Sequence, residues 1–268
     1  MISIIIRTFN EERWIRHCLE AVYRQTYKDI EVVIVDSFST DKTIERARKF
    51  PVKLVTIRDY LPGKALNLGV RESNGEYFAC LSAHCIPAHD NWLGNLLKNL
   101  NDSKVAGVYG RQIPMESTSD ADKRDLMITF GLDRKTQIKD PFFHNANSLI
   151  PRKIWEAYSF DDKATNIEDR IWGRAVIDAG YKIVYEPDAP VYHEHGIHQD
   201  GNPVRCRNVV SIMDSLHAKP ESHFTAPFTP KDLNTAALIP LRGPLLRLSD
   251  GKPLLEITLD SIRESRFI

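Results

Sequence analysis

A chain of 268 residues with 36 basic and 36 acidic side chains has room for one large domain, or one medium domain and an appendage. The charge balance argues against a nucleic-acid binder, which would show a basic excess, and gives no strong attraction to an anionic membrane surface. The four cysteines, Cys18, Cys80, Cys85 and Cys206, form no CxxC pair and no disulfide framework, so reduced thiols in a cytoplasmic protein are expected. The opening "MISIIIRTFNEE" has too short an apolar run for a signal peptide. No stretch approaches the roughly 18 apolar residues of a transmembrane span, so any membrane contact should be peripheral.

In chain order, "ISIII" at 2–6 predicts a strand buried on both faces, and "NEERWIRHCLEAVYRQ" predicts a helix with Trp14, Ile15, Cys18, Leu19 and Val22 on one stripe. Asn10 is placed to cap that helix. "IEVVIVD" is a second buried strand, after which Ser39, Thr40 and Asp41 offer caps to another helix. The alternation continues with strand "VKLVTI", helix "KALNLGVRES", strand "YFACLS", helix "DNWLGNLLKNL" and strand "VAGVYG". This order predicts an α/β fold with a mostly parallel sheet flanked by helices, whose ligand crevice lies at the carboxyl ends of the strands. Arg7–Asn10, Asp36–Asp41 and Ser82–His84 each follow a strand end and should line one crevice.

After residue 111 the rhythm loosens. Residues 115–140 read as part helix, part loop, and 142–160 as strand, turn and short helix. "NIEDRIWGRAVIDAGYKIVYEPDAPVYHEH" reads as a helix capped by Asn166 and ended by Gly180, then a strand with a histidine-rich end. The expected domain is 1–213, with a linker at 214–234 and a tail at 235–268 that is too short to close its own core.

Several residues in this frame can carry chemistry. Asp36 can accept hydrogen bonds from a ribose or a base, or it can be a turn residue. His84 is placed to hold a divalent cation, and the i, i+2 spacing of His193 and His195 places both on one face of a strand. Glu168 and Asp169 either complement a helix dipole or supply a general base. For the second role, burial must offset the helix terminus, which lowers a carboxylate's pKa. Lys64, after a glycine at a helix start, suits a phosphate, although neither a Walker loop nor a GxGxxG fingerprint is present.

Together, "SIIIRTFNEERWIRHCLEAVYRQTYKDIEVVIVDSFSTDKT" resembles the opening of family 2 glycosyltransferases, which have the GT-A fold. The matching pieces are Thr8-Phe9-Asn10-Glu11, Gln25-Thr26-Tyr27 and Val35-Asp36-Ser37-Phe38-Ser39-Thr40-Asp41, with Phe38 where the family usually has glycine. The resemblance covers roughly residues 1 to 200. It implies an inverting transferase that moves a sugar from a nucleotide-sugar donor to a hydroxyl of a glycan or lipid-linked glycan acceptor. It places Thr8, Asn10, Glu11, Asp36, Lys64, Asn67 and Ser82 on the donor side and Asn145 and Asn147 on the acceptor side. Asp169 becomes the base, with Glu168 beside it. Ser82-Ala83-His84 stands where the family carries Asp-x-Asp, so His84, His193 and His195 are the implied metal ligands. Nitrogen donors favour Mn²⁺ over Mg²⁺. In the tail, "AALIPLRG" and "DGKPLLEITLDSIRESRF" resemble the first strand and helix of nucleotide-sugar cytidylyltransferases without their Gly-Ser-Lys loop, which hints at bacterial surface-glycan assembly.

Overall fold

The computed structural model describes residues 1–196 and 203–217. The chain divides into two units, Met1–Ala218 and Lys219–Ile268. The second unit, the resemblance at 235–268 and the linker after residue 217 lie outside the described residues.

The first half is regular βα alternation: β1 (Ile2–Thr8), α1 (Ile15–Arg24), β2 (Ile30–Asp36), α2 (Thr43–Ala47), β3 (Val52–Thr56), α3 (Pro62–Arg71) and β4 (Tyr77–Ser82). Then come a short β5 (Cys85–Pro87), α4 (Trp92–Leu97) continued by a 3-10 turn, β6 (Val105–Pro114), α5 (Asp120–Thr129), β7 (Lys135–Gln137) and β8 (Asn147–Pro151). The last elements are α6 (Arg152–Ala157), α7 (Glu168–Asp178), β9 (Lys182–His193) and α8 (Pro203–His217). β5, β7 and α8 were not among the expected elements, and α8 carries the first unit past the expected end at 213.

The sheet order is β3-β2-β1-β4-β8-β6-β9-β5, with β7 on β9. β1, β2, β3, β4, β6 and β9 run one way, while β5, β7 and β8 run against them. The sheet is therefore mixed. β8 is inserted antiparallel between β4 and β6, so its amino end lies at the same edge as the carboxyl ends of the parallel strands.

The β-branched runs are buried on both faces because helices cover both. Ile2, Ile4 and Ile6 alternate with Ile5 along β1, the first three joining α1 and α4 residues such as Leu19 and Leu96. Ile5 joins Val33, Val35 and α3 residues such as Leu66 and Val70 on the opposite face. Each such side chain stabilises by about 1.5–3 kcal/mol when fully buried. Gly69 lets α3 approach closely, since a Cβ there would collide with Ile5 and Val35. Gly180 ends α7 at φ +84, the left-handed position that favours glycine.

The chain crosses from β3 back past β1 to β4, so the sheet's switch point lies between β1 and β4. Register then sets Arg7 beside Ser82, and Thr8 beside Asp36.

Candidate active site

At that edge the first unit encloses a cavity of about 790 Å³. Thr8, Glu11, Ser82 and His84 line it from the β1 and β4 ends, Glu168 and Asp169 from the start of α7, and His193 from the end of β9. Val209, Val210 and Met213 of α8 form an apolar wall.

Two loops at this edge are interlocked. The Asn10 side chain accepts from the Thr40 amide at 2.8 Å, and the Asn10 amide donates to Ser39 Oγ at 2.9 Å. Asn10 is thus a clasp between loops at φ +54 rather than the α1 cap, which is Trp14 without a side-chain bond. Asp41 braces the turn before α2, accepting from the Thr43 and Glu12 amides at 2.9 and 3.0 Å, while the α2 cap position is Lys42 without a side-chain bond. Asp36 is 4% exposed and accepts from the Ser39 amide at 3.0 Å and the Ser39 hydroxyl at 2.5 Å. Of its two readings, the turn residue is the one the geometry shows, and Asp36 is not among the cavity-lining residues. Phe38 sits at φ +60, which explains the usual glycine at this turn position. Thr8 lines the cavity, and its Oγ1 is buried without a hydrogen-bond partner.

Glu11 has a second role. Its Oε1 lies 2.7 Å from His84 Nδ1, which places the proton on Nδ1 and leaves Nε2 as a free donor atom. His84 stacks on His193 with ring centroids 5.0 Å apart, and His195 meets His84 edge-on at 5.3 Å. The three imidazoles therefore converge, although β9 ends at His193 and His195 lies beyond the strand instead of sharing its face. Burial, with the neighbouring imidazoles, pushes His193 well below the ordinary histidine pKa, so its ring is neutral. Its buried Nδ1 has no hydrogen-bond partner. Among the described residues no three His, Cys, Asp or Glu groups stand in ligating geometry. The three imidazoles, with an orphaned buried nitrogen on His193, are nevertheless nitrogen donors of the kind that can hold a divalent cation.

The acidic pair opens α7 after Ile167, which is at φ +48, and Asn166 does not cap the helix. Glu168 Oε1 is 2.9 Å from Arg7 Nη1 in a buried ion pair. Burial opposes the Arg7 charge, but Tyr60 and Glu168 outweigh it and keep the guanidinium charged. Among the described residues no cation lies within ion-pair distance of Asp169, although the Arg170 and Arg7 charges act on it. Its oxygens accept from the Asn145 and Arg170 amides at 3.2 and 2.9 Å, and burial raises its carboxyl above the usual range despite them.

Four expected contacts fall elsewhere. Asn67 is buried, donating to Phe160 O and Asp162 Oδ1 and accepting from Trp155 Nε1 at 2.6 Å. Its amide is spent bracing α3, so it cannot face a donor. Asn147 is likewise consumed by Trp92 Nε1, Arg111 O and Ala189 O, and is not an acceptor contact. Asn145 stands behind the acidic pair, donating to Glu168 Oε1 at 3.3 Å, and positions it. Lys64 is half-exposed, 3.9 Å from Asp59, and is not among the lining residues.

The sequence reading also missed residues. His144 lines the cavity with its pKa pushed down to about 3, chiefly by burial, and its Nδ1 accepts from Gln112 at 3.0 Å. Only the antiparallel placement of β8 brings it there. Arg7, in the Arg7–Asn10 segment expected at the crevice, is in addition the ion-pair partner of Glu168. The α8 wall had no signal in the spacing.

Residues 3–159, more than half of the chain, match the family Glycosyl transferase family 2. The chain is 26% identical over 208 residues to the O-antigen chain rhamnosyltransferase RfbN of Salmonella typhimurium, covering 72% of this chain and 66% of that one. A dolichyl N-acetyl-alpha-D-glucosaminyl phosphate 3-beta-D-2,3-diacetamido-2,3-dideoxy-beta-D-glucuronosyltransferase of Methanococcus voltae is 37% identical over 123 residues, which is 41% of this chain and 38% of the relative. The chain thus spans a little under two thirds of the first relative and much less of the second. The fold is similar to the mannosyltransferase PcManGT from Pyrobaculum calidifontis in complex with GDP-Man and Mn²⁺, with TM-score 0.63, 21% identity, and 82% and 65% of the two chains covered. It is also similar to S. aureus TarS 1-349 in complex with UDP-GlcNAc, with TM-score 0.64, 16% identity, and 80% and 65% covered. The cytidylyltransferase resemblance of the tail lies outside the matched stretch and finds no support among these relatives.

Proposed function

Because this chain belongs to glycosyl transferase family 2, we propose that it transfers a sugar from a nucleotide-sugar donor to an acceptor hydroxyl, with inversion at the anomeric carbon. The observation that carries this is the contrast between two adjacent carboxylates on one cavity wall. Glu168 is paired with Arg7 at 2.9 Å, while Asp169 is held by backbone amides and burial raises its carboxyl above the ordinary value despite the nearby Arg170 and Arg7 charges.

In this reading the donor enters at the ends of β1, β2 and β4. The 36–41 loop, held in shape by Asp36 and Asn10, borders the nucleotide, and Thr8 and Ser82 line the donor's place. Asp169 takes the proton from the attacking hydroxyl as the new glycosidic bond forms and the nucleoside diphosphate leaves. Glu168, fixed by Arg7 and Asn145, holds the start of α7 in place. His84, His193 and His195 would hold a divalent cation, Mn²⁺ in preference to Mg²⁺, whose charge would stabilise the departing diphosphate. Glu11 orients His84 for that task.

The names of the relatives favour surface-glycan assembly as the setting, with a glycan or lipid-linked glycan as acceptor. Among the described residues no helix is long and apolar enough to cross a membrane. The test is incubation with UDP-, GDP-, dTDP- and CMP-sugars plus Mn²⁺. Release of nucleotide from at least one donor supports the reading, and silence across the panel overturns it. The anomeric proton coupling of the product then reads inversion directly.

A further inference from the structure

We infer a second ligand site, for a phosphate group, in the basic cleft between the start of α1 and α2. This cleft, of about 370 Å³, is lined by Arg13, Arg16, Lys42, Arg46 and Lys49, with His17 and a single acid, Glu45. On a chain whose charges cancel overall, five cations around one concavity are not a consequence of general basicity. Gathering them costs mutual repulsion that a surface built only for solubility would avoid by mixing signs.

Part of that charge is already answered. Arg13 pairs with Glu194 at 2.9 Å, Arg16 pairs with Glu20 at 2.7 Å, and Arg46 donates to the Glu12 carbonyl. Lys42 and Lys49 are not answered. Among the described residues no carboxylate lies within ion-pair distance of either ammonium. Two free ammonium groups beside positioned guanidinium groups match a tetrahedral oxyanion with nearly two charges and several acceptor oxygens better than a single carboxylate.

The cleft and the cavity share no lining residue, so this is not the donor site. It adjoins that site, however. Lys42 follows Asp41 of the interlocked loops, and Arg13 reaches Glu194 between His193 and His195. A phosphate here lies alongside the crevice, as the headgroup of an anionic lipid or as a soluble phosphate or diphosphate. The inference does not rest on the transferase reading, and failure of either leaves the other standing.

The full chain is tested by sedimentation with phosphatidylcholine vesicles, with and without phosphatidylglycerol, and by calorimetric titration with sodium pyrophosphate. The exposed double variant Lys42→Gln/Lys49→Gln is compared with Lys153→Gln/Lys163→Gln, which removes the same charge elsewhere. Binding to at least one probe is expected, weakened about thirtyfold by the first variant and little by the second, at about fivefold for each lysine near an anionic surface. Vesicle binding that requires phosphatidylglycerol identifies a headgroup site, and pyrophosphate binding alone identifies a soluble phosphate. Absence of binding to both probes, or equal losses in the two variants, overturns the site.

Discussion

Arg7 and Glu168 lie 161 positions apart in the chain, yet their side chains meet at 2.9 Å inside the crevice wall, each largely shielded from solvent. The pair ties the end of the first strand to the start of the helix that carries Asp169. Removing one partner leaves a buried charge without compensation, which costs about 3–5 kcal/mol. Arg7→Met should therefore lower the unfolding free energy by that amount in a denaturant titration. Adding Glu168→Gln should recover part of the loss. A single variant as stable as the wild type would mean that the pair is solvated.

Asp169 should also leave a signature in stability. Its folded pKa is raised by burial, so the folded state binds its proton more readily than the unfolded chain does. The penalty is fully present above the folded pKa. It fades as pH falls through that value and is gone below the ordinary aspartate range. Asp169→Asn should therefore melt higher than the wild type at neutral pH, with the difference shrinking on acidification. A melting-temperature difference that is flat with pH would remove burial as the cause.

The Glu11–His84 contact predicts a metal effect. Carboxylates that fix a ligating histidine typically account for 10–100-fold in metal affinity. Glu11→Gln should weaken Mn²⁺ binding by about that factor in an isothermal titration, because His84 loses its fixed tautomer. An unchanged affinity would place the ion away from His84.

Phe38 offers a test of local strain. At φ +60 with its ring half-exposed, it occupies a left-handed position that costs a non-glycine residue roughly 1–2 kcal/mol, against up to about 1 kcal/mol lost to glycine's greater freedom when unfolded. Phe38→Gly should stabilise the chain by about 0.5–1 kcal/mol by chemical denaturation. Destabilisation would mean that the stacking of Arg58 over the ring, 5.7 Å from its centroid, outweighs the strain.

The parts legible in the sequence were those governed by short-range pattern. Continuous β-branched runs marked β1 and β2, and the βα order located the crevice at the ends of β1, β2 and β4. What escaped depends on pairings between distant segments. The antiparallel insertion of β8, which carries His144 to the edge, has no periodicity that distinguishes it from a parallel strand. Asn67 and Asn147 sit in motif-like positions, but tryptophans 88 and 55 residues away occupy their amides. The grouping of His84 with His193 and His195 came from the family resemblance, and the physical cause of their meeting, the pairing of β5 with the end of β9 that sets Cys85 beside His193, has no signal in the spacing.

The most direct measurement compares Asp169→Asn with the wild type, using single-turnover transfer and donor affinity on the same preparations. The mechanism predicts transfer slowed by about 10²–10⁴-fold, the usual contribution of a general base, with donor dissociation constants nearly equal. Equal transfer rates would contradict it. So would a loss explained entirely by weaker donor binding.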